Sequence, residues 1–212
     1  MKPLILVLAG INGAGKSSVG GRYIRGEGMT YFNPDEVAAA VREELGCTLD
    51  EANGHAWSRG KELLENAIRE RTSHAFETTL GGSTIARLLG KAADAGFDVS
   101  IWFVGLESVQ HHLARVRARV ASGGHDIPEE KIRERWDASR ENLIRLLPRL
   151  YELRIFDNSA ERDPQTGEIP PPRLLLHWQR GAVIGPEQAA LESTPEWAKP
   201  IVAAALHLTR RN

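Results

Sequence analysis

Leu4-Ile5-Leu6-Val7-Leu8-Ala9 runs without a polar residue into Gly10-Ile11-Asn12-Gly13-Ala14-Gly15-Lys16-Ser17. An apolar run of this length, bounded by a glycine turn, reads as a strand buried on both faces, as in the middle of a parallel sheet. The eight residues that follow keep the spacing of a P-loop, four residues between the first glycine and Gly-Lys-Ser. In that loop glycines admit unusual backbone angles and close approach, so successive N–H groups can wrap phosphate oxygens. The helix expected from Lys16 to about Arg25 adds its free N–H groups and the positive end of its dipole. Gly10, Asn12, Gly13, Ala14, Gly15, Lys16, Ser17 and Ser18 are therefore candidate nucleotide-binding residues. Lys16 is expected on the transferring phosphate and the Ser17 hydroxyl in a Mg²⁺ shell. The cofactors implied are ATP and Mg²⁺.

The whole chain sets the frame for this motif. Its 212 residues suit one domain, read as a core over 1–158 with a covering extension over 159–212 in the same domain. A net charge of −1 argues against a nucleic-acid partner held by bulk positive charge. No apolar stretch approaches the roughly 18 residues of a membrane span, and the N-terminal apolar run leads straight into the P-loop, as a core strand does and a signal peptide does not. Cys47 is the only cysteine, so no internal disulfide can form and a cytoplasmic location is expected.

Beyond the P-loop, strands and helices alternate, which predicts an α/β P-loop NTPase-type three-layer sandwich. Further strands are expected at Met29 to Phe32, His74 to Thr78, Val99 to Val104 and Arg154 to Phe156, giving a five-stranded, mostly parallel sheet. Between them, Asn33-Pro34-Asp35-Glu36 reads as a helix start, with Asn33 as cap and Pro34 in the first turn. Two helices spanning about 108–149 and joined by Ser122-Gly123-Gly124 suit a lid. Seven of the eleven prolines fall between Pro164 and Pro200, where a hairpin about Arg180-Gly181 and a last helix form the extension. The extension is expected to pack beside an acceptor pocket.

A P-loop serves many enzymes, and the rest of the chain narrows the choice. There is no Asn-Lys-x-Asp guanine signature and no aliphatic run ending in Asp-Glu. Instead there is a carboxylate after the second strand, one at the end of the third, and an arginine-rich helical hairpin after the fourth. In parallel sheets such groups converge at the carboxyl ends of the strands. Asp35 is the candidate base, because transfer to an alcohol needs a carboxylate that orients the hydroxyl and accepts its proton. Glu77, with Thr78 and Thr79, is placed against substrate, or against Mg²⁺ through a water. Arg119, beside the glycine hinge, and Arg135 are the candidate lid arginines, spreading transition-state charge; most of the arginines in this stretch read as a solvated face. Asn158, just past the fifth strand, is a candidate nucleotide contact.

These motifs together, Gly10–Ser17, Asn33-Pro34-Asp35, Glu77-Thr78-Thr79-Leu80 and Arg119 with His125-Asp126-Ile127-Pro128, resemble the zeta toxin family of P-loop kinases over about residues 2 to 158. The resemblance implies transfer of the ATP γ-phosphate to a hydroxyl of a small molecule, UDP-N-acetylglucosamine in that family, and an antitoxin protein as partner. It assigns Lys16 and Ser17 to phosphate and Mg²⁺, Asp35 to the base, Glu77 to substrate and Arg119 to the lid. One departure stands out: three residues before the lid proline that family has an arginine, and this chain has His125. Either a protonated His125 does that work, failing as pH rises past about 6.5, or Arg135 reaches in from the next helix.

Two other functions fit the same residues: a kinase for another alcohol (antibiotic, nucleoside or sugar), and a nucleotide-gated binding protein without turnover. His111-His112 lack ligand-spaced partners and read as surface. Trp57, Trp102, Trp136, Trp178 and Trp197 read as packed aromatics, in the core or under the extension.

Overall fold

The computed structural model describes residues 2–21, 31–162 and 165–210. The opening apolar run forms β1 (Leu4–Ala9), in which Ile5, Val7, Leu8 and Ala9 are wholly buried. Its neighbours are β3 (His74–Thr78) on one side and β4 (Asp98–Gly105) on the other, both parallel to it, with β2 (Tyr31–Phe32) beyond β3 and β5 (Glu152–Asp157) beyond β4. Continuous apolar strands end up in the middle because only there are both faces covered.

The sheet does not stop at five strands. β6 (Arg173–Gln179) pairs antiparallel with β5, and β7 (Ala182–Gly185) with β6, giving the order β2-β3-β1-β4-β5-β6-β7. The hairpin expected about Arg180-Gly181 is there, but it continues the sheet instead of covering it. A bare β5 edge would leave a row of unpaired N–H and C=O groups, and β6 satisfies them.

Side-chain alternation along β1 divides the core. Ile5, Val7 and Ala9 face one large cluster that takes in Leu64 of α2 (Leu49–Glu70), Leu88 and Leu89 of α3 (Ser83–Asp94), and Leu143 and Leu146 of the long helix Glu129–Leu146. Leu6 and Leu8 face the second layer with Ala75 and Trp102. Against that face lies a π-helical turn, Ser17–Gly21, whose Gly20 leaves no room for a side chain: a Cβ there would stand 2.4 Å from Leu8 Cδ2. The remainder of the expected first helix, to Arg25, and the start of the second strand, Met29 and Thr30, lie outside the described residues.

The local signals hold where they are local. Asn33 Oδ1 accepts from the Asp35 backbone N–H at 3.0 Å and opens α1 (Pro34–Leu45), which ends on Gly46 in the left-handed region. Thr48 and Glu51 form a reciprocal capping box at the start of α2. The expected lid divides in two. α4 (Val109–Ala121) and α5 (Glu129–Leu146) flank the linker 122–128, but α5 is fixed along its length by Ile132, Leu143 and Leu146 in the core. The last helices, α6 (Gln188–Glu192) and α7 (Lys199–Thr209), close the chain, with Trp197, Ile201 and Ala205 in the main core. Among the described residues no helix is long and apolar enough to cross a membrane.

Candidate active site

The P-loop leaves β1 in a conformation only glycine takes readily. Gly10 has φ +137°, and Gly13 and Gly15 have φ +82°. The close approach matters equally, since a Cβ at Gly15 would meet Asn158 Nδ2 at 2.4 Å. Asn158 instead donates that amide to the Ala14 carbonyl at 2.9 Å, so the residue after β5 braces the loop from below. Ser18 lies in the turn that follows, its N–H donating to Gly15 O at 3.1 Å.

Strand register carries the second carboxylate to the loop. Leu8 lies opposite Glu77 and Ala9 opposite Thr78, so the end of β3 meets the end of β1. The buried Glu77, 6% exposed, accepts from Ser17 Oγ at 2.7 Å and from the Tyr31 hydroxyl. Burial pushes the Lys16 ammonium below its usual pKa, against the pull of Glu77 and Asp35, while Arg119 and Arg135 push it further down. A buried cation with two further cations beside it favours an anionic ligand. Ser17 and Glu77 are the hard oxygen donors that Mg²⁺ accepts, and among the described residues no group of three or more His, Cys, Asp or Glu forms another metal site.

Facing this is the junction of α4 with the linker 122–128. Arg119 Nη1 stands 3.7 Å from Asp35 Oδ2, and its Nη2 donates to the His125 carbonyl at 3.2 Å. Arg135 crosses the other way, donating to Asn12 Oδ1 at 2.8 Å, with burial lowering its pKa. Of the two alternatives for the missing lid arginine, Arg135 is the one that touches the P-loop; the His125 ring lies 3.5 Å from Arg119. Arg117 and Arg133 share Glu129 on the surface, as the solvated-face reading anticipates.

Between α1, α2, the end of β3 and the linker 122–128 lies a cavity of about 510 Å³, with Asn12, Asp35, Glu77, Thr78, Thr79 and Arg135 on its walls. Thr78 and Thr79 also hold the turn after β3, accepting from Leu80 N and Gly81 N. Among the described residues every one that lines it lies between Asn12 and Arg135, so the expected packing of the extension beside this pocket is not found among them. The hairpin leaves on the opposite flank because β5, the strand it joins, is separated from β3 by β1 and β4.

Two sequence readings are corrected. Neither His111 nor His112 is a free surface residue: the His111 side chain is 11% exposed, and His112 is 1% exposed, its Nδ1–H donating to the Asn12 carbonyl at 2.9 Å and its ring meeting Trp136 edge-on at 5.4 Å. The surface reading fails because α4 turns His112 onto the back of the P-loop, a tertiary contact that local spacing does not encode. Trp57 is the reverse case, 52% exposed at the cavity.

His112 also sets an acid limit. Burial, first, and the nearby cations Lys16, His111 and Arg115 lower its pKa to about 4. The unfolded chain, with histidine near 6.5, then takes up the proton first. Stability is complete above that value and falls as pH drops toward 4, by roughly 3 kcal/mol. His74, lowered by burial, adds in the same direction. Urea unfolding from pH 7 to 4 should show this decline, and His112→Gln should make it shallower.

Residues 5–146, two thirds of the chain, match the AAA_33 family, described as an AAA domain. An uncharacterized protein of Haemophilus influenzae is 28% identical over 142 residues, 64% of this chain and 94% of its own length. Among solved structures, AvrRxo1-ORF1:-ORF2 with ATP superposes at a TM-score of 0.65 and 17% identity, over 92% of this chain and 64% of that chain. The PezAT toxin–antitoxin system of Streptococcus pneumoniae gives 0.55 and 14%, over 99% and 85%. At these identities the two structures share the fold, an α/β P-loop fold. With its family match extending from β1 to the end of α5, the chain belongs to the AAA_33 family.

Proposed function

We propose that the protein transfers the γ-phosphoryl group of ATP to a hydroxyl of a small molecule. The observation that carries this is a single cavity shared by Asp35 and the P-loop's Asn12, with Glu77 on the same wall. Beside its nucleotide a hydrolysing site needs room for water alone, whereas this 510 Å³ cavity, with Asn12 its one P-loop residue among those described, has the size of a second small-molecule site.

In this reading Asp35 accepts the proton of the acceptor hydroxyl as its oxygen bonds to the γ-phosphorus. The bond from that phosphorus to the β–γ bridging oxygen breaks, and ADP leaves with the electron pair. Lys16 and the loop N–H groups hold the phosphates, Arg119 and Arg135 offset charge on the transferring group, and Asn158 keeps the loop in shape. Ser17, with Glu77 through a shell water, would hold Mg²⁺, which would supply charge neutralisation for the transferring phosphate. A nucleotide sugar such as UDP-N-acetylglucosamine heads the acceptors to try. An antitoxin-like protein partner and a cytoplasmic location belong to the same proposal; AvrRxo1-ORF1 with its ORF2, and the PezAT toxin–antitoxin pair, support the partner by their fold.

Phosphorus NMR of the protein with Mg-ATP and a panel of hydroxyl acceptors tests it. A new phosphomonoester signal, absent with Lys16→Ala, is the expected result. ATP bound but unchanged with every acceptor would favour a nucleotide-gated binding protein.

A further inference from the structure

The acceptor side of the cavity has a wall that phosphoryl transfer does not explain. On α2, Asp50, Asn53, Gly54, Trp57 and Lys61 all line the cavity, at spacings of three and four that put them on one helical face. Trp57 is the one large, exposed apolar side chain among the described residues that borders the cavity. Trp102, Trp178 and Trp197 are buried at 7%, 3% and 3% exposure, so the fold places tryptophans inside wherever packing decides. Leaving this one half in water sacrifices burial of a large apolar surface.

Gly54 sharpens the point. A glycine inside a helix weakens it. Gly60, one and a half turns on, has a packing reason, since a Cβ there would stand 2.6 Å from Phe32 Cε1. At Gly54 a Cβ would meet nothing within 4 Å. The residue therefore leaves bare helix backbone open to the cavity beside the Trp57 ring. Phe32 and Phe76 line the same cavity and Ile85 stands with them. The lining thus joins apolar side chains, Trp57, Phe32, Phe76 and Ile85, to hydrogen-bonding ones, Asp35, Thr78 and Thr79 among them.

We infer that the molecule bound here is a ring-bearing alcohol, laying a flat apolar face on Trp57 and the open backbone at Gly54, with its hydroxyl toward Asp35. An open-chain polyol has no such face to offer. Asn53, one turn before Trp57, and Asp50, two turns before it, supply hydrogen-bonding groups at the rim of the ring. Gly54 and Trp57 are specificity residues in this assignment, which rests on the phosphotransfer reading only in calling the bound molecule an acceptor.

Saturation-transfer NMR tests it without turnover, using the full chain with phenyl β-D-glucopyranoside and, separately, sorbitol as probes. Wild type should transfer saturation to the ring protons of the glucoside and not to sorbitol. Gly54→Leu should abolish the effect while melting no lower than wild type, because leucine is the better helix former. Trp57→Ala should weaken glucoside binding about tenfold and Trp57→Phe should restore most of it. ATP affinity should be the same in all four proteins. Equal transfer to sorbitol, no transfer to the glucoside, or glucoside binding indifferent to Gly54→Leu would overturn the inference. Ring-face binding by a protein that phosphorylates nothing supports it while counting against the kinase. Phosphorylation of open-chain polyols, unaffected by Gly54→Leu, overturns it and leaves the kinase standing.

Discussion

Asp35→Asn should lower kcat about 100-fold or more and leave ATP affinity unchanged. Asparagine keeps the size and a hydrogen-bonding oxygen but cannot take a proton. The change is local: Asp35 is exposed, its backbone N–H is held by Asn33, and its side chain pairs, among the described residues, with Arg119. An exposed pair of this kind contributes under about 1 kcal/mol, so folding should be unaffected. Steady-state kinetics with the acceptor found by phosphorus NMR, alongside ATP titration of both proteins, checks both halves. Full activity in the variant would remove Asp35 as the base. A fall in ATP affinity equal to the fall in rate would mean that Asp35 organises the nucleotide site instead.

The second large effect is on the fold. At Gly10→Ala the new Cβ would stand 2.1 Å from the Val104 carbonyl oxygen, far inside contact distance, and φ +137° is a region that alanine avoids. The obstacle is backbone of β4, the strand paired with β1 along its whole length, so neither partner can yield without opening the centre of the sheet. Strain and overpacking together cost roughly 2–6 kcal/mol, against a total stability of about 5–15 kcal/mol for a domain. The variant should unfold at much lower urea and lose ATP binding with it. Gly82→Ala is the matched control: φ is −102°, and nothing lies within 4 Å of the added methyl. It should behave as wild type. Equal stability of the two variants would contradict the geometry at Gly10.

What the chain revealed in advance was what depends on neighbours in sequence. The apolar run into Gly10, the Asn33-Pro34 cap and the Thr48–Glu51 start of α2 are legible because their energetics reside within a few residues. Parallel order then brings Glu77 to Ser17 by register, and the convergence of Lys16, Asp35 and Glu77 follows from the rule that ligands gather at strand carboxyl ends. Three features were out of reach. His112 is buried because the P-loop happens to lie under α4. Trp57 is exposed because the adjoining face of α2 borders a cavity. The hairpin over 173–185 joins the sheet because β5 offers an open edge, a fact about the assembled strands. In each case the deciding partner is distant along the chain, and residue type alone pointed the wrong way.

The added strands bear on how far the chain can be shortened. The family match ends at Leu146, before β5 begins. A chain cut there would turn β4, buried from Val99 to Gly105, into an unprotected flank of apolar residues and unpaired backbone groups. Such a flank is a template for another chain's strand. The expected outcome of such a cut is self-association and insoluble protein, because β5 and the hairpin after it no longer cover that edge.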